Sequence, residues 1–457
     1  MQAPLTRFYN DHKILLDGFW FDTKGNFKNF NSIPFGRNDS YDIKWMAHSF
    51  WYLIATEKYF DSHPEYFAEI DGKRSDRGTI TPYHNKQLCT SNQNLINEIA
   101  GNIIKLFDKF PDKDSIVLGP NDGGGFCECN NCTVLDRNSK YSVHDLKKGN
   151  LDRTDPAYFT MFSKRMLKFF TEVAEIVGRQ YPNKTIRSPV YSFYRDPPEN
   201  HSDAIPKNLE LMSCRGICHN HSLDNKQCAI NRDYITGLKK WIELGARISI
   251  YEYYWKNSWV ELPFPILRNI PVNQKIYRDI GVSGFTTQYG YNAGTLGPVY
   301  YSAFQNFKRC DSDWRELLEE YCDKYFGSAK KPAISYYTLL EEHAAGTDLH
   351  FVLPQQASLP IKKIFTKEIL SQLDNLSAEI KKLTIDTVYE DFGQAMRVST
   401  DYGKLVFDFL STQEQNNDAN VIRKKATAIR LFLNHGQCKQ VIDQSELYIK
   451  RMLDENY

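Results

Sequence analysis

The chain has 457 residues, which at about 100–200 residues per domain leaves room for two to four domains or for one large barrel with an appendage. Its 57 Lys plus Arg against 56 Asp plus Glu create no long-range positive field, which discounts nucleic acid and an anionic membrane as partners. Aromatic residues reach 14%, with 28 Tyr and 28 Phe, a composition suited to presenting flat polar faces to sugars or bases.

The start, MQAPLTRFYNDHKILLDGFW, carries charges where a secretory signal has its apolar stretch, and no apolar run reaches the ~18 residues of a membrane span. As written, the chain reads as cytoplasmic or as a fragment of an exported protein. From about residue 40 to 300, short apolar runs alternate with helical patterns, the signature of repeated β-α units. KILLDGFWF (13–21) offers a first strand, although DTKGNF after it reads as a hairpin turn rather than the start of a helix. IKWMAHSF (43–50) and KQLCTS (86–91) read as the next strands. The helix NQNLINEIAGNIIKLFDKF follows, with Leu95, Ile96, Ile99, Ile103 and Phe107 at helical spacing. DSIVLGPND (114–122) is a strand, residues 159–181 form a long helix, and TIRSPVYSFYR (185–195) is the following strand. NLELMSCRG (208–216), ARISIYEYYW (246–255) and VSGFTTQYGYN (282–292) complete the series, with a helix at 232–245.

This alternation predicts an α/β fold, a (β/α)8 TIM barrel over residues 1–305 whose functional groups gather at strand C-termini. Beyond about 305 the patterns at 313–327, 332–344, 366–384 and 423–453 are all helical, so 306–457 is expected to be a C-terminal α-helical domain.

The stretch GPNDGGGFCECNNC (119–132) combines a carboxylate, three glycines and three cysteines. It carries neither G-x-G-x-x-G nor a terminal Gly-Lys-Ser/Thr, so it is not a phosphate loop; glycine's tolerance of positive φ lets the chain turn sharply and approach a ligand. Cys127, Cys129 and Cys132 offer three thiolates, and Cys89 or His84 would close a tetrahedral site, making a structural zinc or a disulfide the two readings beside plain buried thiols. No cofactor is required for the chemistry. A second group, Cys214, Cys218, His219, His221 and Cys228, has ligand chemistry at irregular spacing.

Asp122, Asp196 and Glu252 fall at or just past strand ends, so several acids are expected to face one barrel mouth. A glycosidase needs an acid for the leaving oxygen and either a second carboxylate or the substrate's own acetamido oxygen for the oxocarbenium-like centre. Asp122 and Glu252 meet that positional requirement. The bland alternative is that strand-end acids pair with arginines or cap helices.

HSFWYLIATEKYFDSHPEYFAEIDGKR (48–74), QLCTSN (87–92), VLGPNDGGGFCECNNC (117–132), VYSFYRDPP (190–198) and WRELLEEYCDKYFGSAKKPAISYYTLLEE (314–342) together resemble the bacterial DUF4838 proteins, a group that includes glycoside hydrolase family 163. The resemblance implies a (β/α)8 barrel and endo-β-N-acetylglucosaminidase action on complex N-glycans. A more distant likeness is to the family 67 α-glucuronidases, through Asn121-Asp122-Gly123 and Tyr251-Glu252-Tyr253. There the strand-four acid is Glu rather than Asp, and here Cys214-Arg215 stands where an inverting partner carboxylate would be wanted.

The expected function is thus that of a retaining, substrate-assisted glycoside hydrolase on a glycan or glycoprotein, with Asp122 and Glu252 dividing proton donation and orientation of the acetamido group. His48, Asn121, Tyr191, Tyr194, Arg195, His219, Tyr254, Trp255 and Tyr289 are the expected sugar contacts. An exo-acting uronidase-like enzyme, or a silent glycan-binding barrel, is the alternative.

Overall fold

The computed structural model describes residues 19–21, 27–29, 48–75, 86–254, 259–287, 292–352, 358–415 and 418–442, with short breaks at 138, 150, 153–154, 310, 437 and 439–440, and residues 449 and 452–453. Trp255 and Tyr289 lie outside them, as do residues 43–47.

Nine strands occur among these residues: β1 (Phe19–Phe21), β2 (Phe27–Asn29), β3 (Glu69–Ile70), β4 (Lys73–Arg74), β5 (Ser115–Val117), β6 (Thr185–Val190), β7 (Leu209–Cys214), β8 (Arg247–Glu252) and β9 (Gly284–Thr287). The main sheet runs β2-β1-β9-β8-β7-β6-β5, and β3 and β4 form a separate hairpin. Strands β5 to β9 are parallel and consecutive, a half-barrel of five strands in which an α-helix follows every strand but β6, which is joined to β7 by a 3-10 turn at Ser192–Tyr194 and a loop. β6 and β7 are buried at every position, as strands sandwiched between an interior and covering helices must be.

Three sequence expectations change. The segment at 13–21 does enter the sheet and is followed by a hairpin, but β1 pairs with β9 antiparallel, so it is not a barrel-type first strand. His48 and Ser49 are not in a strand: the Ser49 and Phe50 N–H groups donate to the Gly119 carbonyl, at 3.0 and 3.1 Å, and a short helix Phe50–Leu53 begins at once. The 86–91 segment makes one bridge, Leu88 to Phe67, and lies against residues 66–68 rather than in the main sheet.

Three connecting helices follow the predicted periodicity, α1 (Gln93–Lys109), α2 (Ser163–Gln180) and α3 (Ala229–Glu243), and two more, α4 (Asn269–Asp279) and α5 (Ala293–Arg309), were not read from the sequence. Asn92 starts α1 by accepting the N–H groups of Asn94 and Leu95, and Leu95, Ile96, Ile99, Ile103 and Phe107 form its buried stripe. Then come α6 (Trp314–Phe326), α7 (Lys330–Ala345), α8 (Ser358–Ile364), α9 (Lys367–Thr384), α10 (Glu390–Gln415) and α11 (Ala419–Leu433). They pack on the sheet unit through α5, which lies against α10, and through Asn292, whose Nδ2 donates to Ser399 Oγ at 2.9 Å. One continuous apolar core runs through sheet, covering helices and this helical region. Among the described residues no helix is long and apolar enough to cross a membrane.

Near the N-terminal ends of β6 to β8 the sheet interior is ionic. Arg187 donates to Glu210 Oε1 at 2.9 Å and to Ser115 Oγ at 2.8 Å, while Arg247 and Ser249 complete the Glu210 carboxylate. Burial would push the Glu210 carboxyl up; the charges of Arg187 and Arg247 reverse this and leave it below its ordinary value. This closes the bottom of the half-barrel and leaves the C-terminal ends of the strands for chemistry.

Candidate active site

The loop after β5 is built around Asn121 and two left-handed glycines. Asn121 is buried: its Nδ2 donates to Lys86 O at 2.6 Å, its Oδ1 accepts from Trp51 N at 3.1 Å, and its backbone exchanges hydrogen bonds with the Gln87 amide. Gly123 and Gly125 have φ of 91° and 74°, a turn closed to most L side chains. The result fixes Asp122 at the rim with its side chain exposed. Its Oδ1 accepts from Gly123 N at 2.9 Å and from the Tyr191 hydroxyl at 3.4 Å, so both contacts fall on one oxygen.

Around Asp122 lie aromatic groups from neighbouring strand ends. Tyr191 meets Tyr194 edge-on at 5.3 Å and His48 at 6.1 Å. His48 Nδ1 donates to the Pro120 carbonyl at 2.6 Å, which fixes the tautomer and makes Nε2 the acceptor of the neutral ring. Desolvation, then Tyr194 and the Asp122 charge, push the Tyr191 phenol well above its ordinary value, so it remains an O–H donor. The same charge acts on Tyr194, Tyr253 and Cys214, which together form the floor of the site.

Glu252 lies elsewhere. It is 0% exposed, and its partners are Arg215 Nη1 at 3.1 Å, the Tyr277 hydroxyl at 2.8 Å and His219 Nε2 at 3.5 Å. Tyr277 belongs to α4, so Glu252 points between sheet and helices. Strand alternation explains this: Arg247, Ser249, Tyr251 and Tyr253 share the inner face of β8, and Glu252 takes the other. Burial raises the Glu252 carboxyl, but the Arg215 guanidinium, then His219 and Tyr277, more than reverse it and hold it at about 2. The expectation that Asp122 and Glu252 face one mouth is therefore corrected, and a carboxyl held this low is no proton donor near neutrality.

Several expected sugar contacts are also occupied. Arg195 is buried, forks onto Asp196 at 2.8 and 2.7 Å and stacks on Phe159 at 3.5 Å. Tyr254 is buried, with its hydroxyl accepting from Gln274 at 3.4 Å and its N–H donating to Thr287 Oγ1. His219 Nδ1 donates to Ile217 O at 2.7 Å and its ring is 1% exposed. Tyr194 is buried as well, so its ring supports Tyr191 from below. Sequence reasoning missed Tyr277, which carried no motif. It offered Tyr253 as an aromatic wall beside the acid but not as a sugar contact, and its two-residue offset from Tyr251 marks the inner face.

The cysteines converge. The sulfurs of Cys89, Cys127, Cys129 and Cys132 all lie within 4.8 Å of one another, with Cys89 to Cys129 at 3.6 Å and Cys89 to Cys132 at 3.9 Å. These separations are far longer than a disulfide bond of about 2 Å. The Glu69 N–H donates to Cys127 Sγ at 3.3 Å and the Ser91 hydroxyl lies 3.0 Å from Cys132 Sγ. Arg165 from α2 braces the loop by donating to Cys127 O at 2.9 Å and pairing with Asp136.

The chain is thus an α/β protein built on a curled, five-stranded parallel half-barrel, with an acid and aromatics at its strand ends. Residues 14–338 match the family described as "Domain of unknown function (DUF4838)", and the chain belongs to that family. No curated protein matches the chain. Among solved structures, a mutant of the O-GlcNAc hydrolase from Thermobaculum terrenum aligns over 80% of this chain and 76% of its own, with 12% identity and a TM-score of 0.37.

Proposed function

We propose that the protein is a glycoside hydrolase in which Asp122 is the acid and base, and that it acts with retention on N-acetylglucosamine-containing glycans, as an endo-β-N-acetylglucosaminidase on N-glycans. The observation that carries this reading is Asp122 itself: an exposed carboxylate, oriented through Oδ1 by Gly123 N–H and Tyr191 O–H, at the edge of an aromatic floor. Of the three strand-end acids, Asp196 is paired with Arg195 and Glu252 with Arg215. A site with one reachable carboxylate suits a substrate that brings its own nucleophile. Asp122 protonates the leaving oxygen as the acetamido oxygen closes on the anomeric carbon. It then takes a proton from the water that opens the resulting ring, which returns the starting configuration. Glu252, in this reading, anchors Arg215 and Tyr277 beneath the site. A uronidase is disfavoured because, among the described residues, the strand-end guanidinium groups of Arg195 and Arg215 are already committed to carboxylates.

Four thiolates around a tetrahedral zinc with Zn–S near 2.3 Å sit about 3.8 Å apart, and the cysteine separations of 3.6 and 3.9 Å match. We therefore propose a structural zinc at Cys89, Cys127, Cys129 and Cys132, fixing the loop that carries Asp122. The half-barrel is proposed to represent a (β/α)8 catalytic unit up to about residue 305, with the following helices as its buttress.

Incubating the protein with a biantennary N-glycopeptide and reading released glycan by mass spectrometry tests the function. Release by the wild type and none by Asp122→Asn is the expected result. Glycan binding without release, unchanged in Asp122→Asn, overturns it in favour of a silent binding protein.

A further inference from the structure

A second four-ligand cluster lies apart from the cysteine loop, beyond the end of β7. Cys218 Sγ, His221, Cys228 Sγ and His350 each bring one ligand atom, and all four atoms lie within 4.8 Å of one another. Cys218 Sγ is 3.4 Å from His221 Nδ1, and Cys228 Sγ is 3.8 Å from His350 Nδ1. A tetrahedral zinc with Zn–S near 2.3 Å and Zn–N near 2.0–2.1 Å places sulfur and nitrogen about 3.5 Å apart. The observed pair distances bracket that value. Two thiolates with two imidazoles is a donor set that selects zinc by softness and geometry.

The surrounding structure holds the four ligands in place. Cys228 is the N-cap residue of α3 and makes no side-chain capping bond, so its sulfur is not used to start the helix. Asn231 Nδ2 donates to the His221 and Ser222 carbonyls at 2.9 and 3.1 Å. Asn220 Nδ2 donates to Leu349 O at 2.9 Å, and the His219 N–H donates to Phe351 O at 3.2 Å, which aligns the backbone on both sides of His350 with the loop after β7. Cys218 and Cys228 are buried, His221 is half-buried and His350 is exposed, as for a site assembled at the seam between two segments.

We propose that Cys218, His221, Cys228 and His350 form a closed, structural Cys2His2 zinc site. It ties the loop after β7 to the segment after α7, across 122 residues between Cys228 and His350. With four protein ligands it has no open position for substrate. The loop it fixes contains Arg215 and His219, two of the three partners given above for Glu252. The proposal does not depend on the glycosidase reading, because it is read from metal content rather than turnover.

The test is the zinc content of the purified full-length protein by plasma mass spectrometry, repeated after dialysis and Zn2+ back-titration. Two zinc ions per chain are expected, falling to one in His350→Ala and to one in Cys129→Ser, with a lower melting temperature in each. His350 is exposed, so His350→Ala keeps the comparison interpretable if Cys228→Ser does not fold. Reconstitution of Cys129→Ser with Co2+ should give tetrahedral d–d bands with thiolate charge transfer, lost in the double variant with His350→Ala. Zinc content unchanged by His350→Ala and by Cys228→Ser overturns the proposal. So does a Cys218–Cys228 disulfide found by alkylation without reduction.

Discussion

On the inner face of the sheet Asp122, Tyr191 and Tyr253 converge where solvent reaches the strand ends, while on the outer face Glu252 is sealed among Arg215, His219 and Tyr277. Tyr253 and Glu252 are neighbours in sequence, and a single residue of register separates a group available to a ligand from one committed to the core. The same functional group, a carboxylate, therefore serves opposite ends. An open carboxylate can exchange protons with a substrate, whereas a buried one held by a guanidinium contributes only if its partners stay. Each side also has its own cluster of converging ligand atoms, Cys89, Cys127, Cys129 and Cys132 on the side of Asp122 and Cys218, His221, Cys228 and His350 on the side of Glu252.

The sharpest way to break this comparison is to neutralise each acid in turn. Asp122→Asn should lower glycan release by about 10²- to 10⁴-fold, the range for loss of general acid–base catalysis, while shifting the thermal midpoint little. Arg215→Met should do the reverse to the molecule. It leaves Glu252 buried without its guanidinium, held only by Tyr277 and His219, and should cost about 3–5 kcal/mol in denaturant unfolding, the range for breaking a buried pair. If Arg215→Met proves as stable as wild type, Glu252 anchors nothing beneath the site.

A smaller effect comes from pH. Because the Glu252 carboxyl is held below its ordinary value, the stability it contributes is present above that ordinary value. It is lost as the pH falls from 4.5 toward about 2. Acid-unfolding curves of wild type and Glu252→Gln should differ in slope over that window and run parallel above it; identical slopes argue against the linkage. The smallest effect should come from Tyr191→Phe, which removes one orienting donor from Asp122 and is expected to slow release about tenfold, or about 1.4 kcal/mol. A rate unchanged in that variant would mean Tyr191 does not position the acid.

Much of the fold was legible because parallel strands and amphipathic helices write their burial into local patterns. The runs that became β5 to β9, and the stripe of α1, were visible as such. His48–Phe50 and the 86–91 segment misled because a short apolar run has the same composition whether it joins a sheet or packs beside one. Neither Phe50 nor Leu88 says which neighbour it will find. In the candidate site, the exposed strand-end position of Asp122 and the clustering of Cys127, Cys129 and Cys132 with Cys89 were legible from local spacing. The role of Glu252 was misjudged even though Tyr251, Glu252 and Tyr253 carry the alternation that sets its face.

By itself the sequence determined the repeating β-α pattern, the helical continuation and the local chemistry of the loop at 119–132, since all of these depend on residues a few positions apart. Only the tertiary structure decided that β1 returns antiparallel, that Arg195 and Arg215 are already engaged by carboxylates, and that His350 meets Cys218, His221 and Cys228. Those outcomes depend on which distant segments lie against each other, and no local periodicity encodes a contact made across 122 residues.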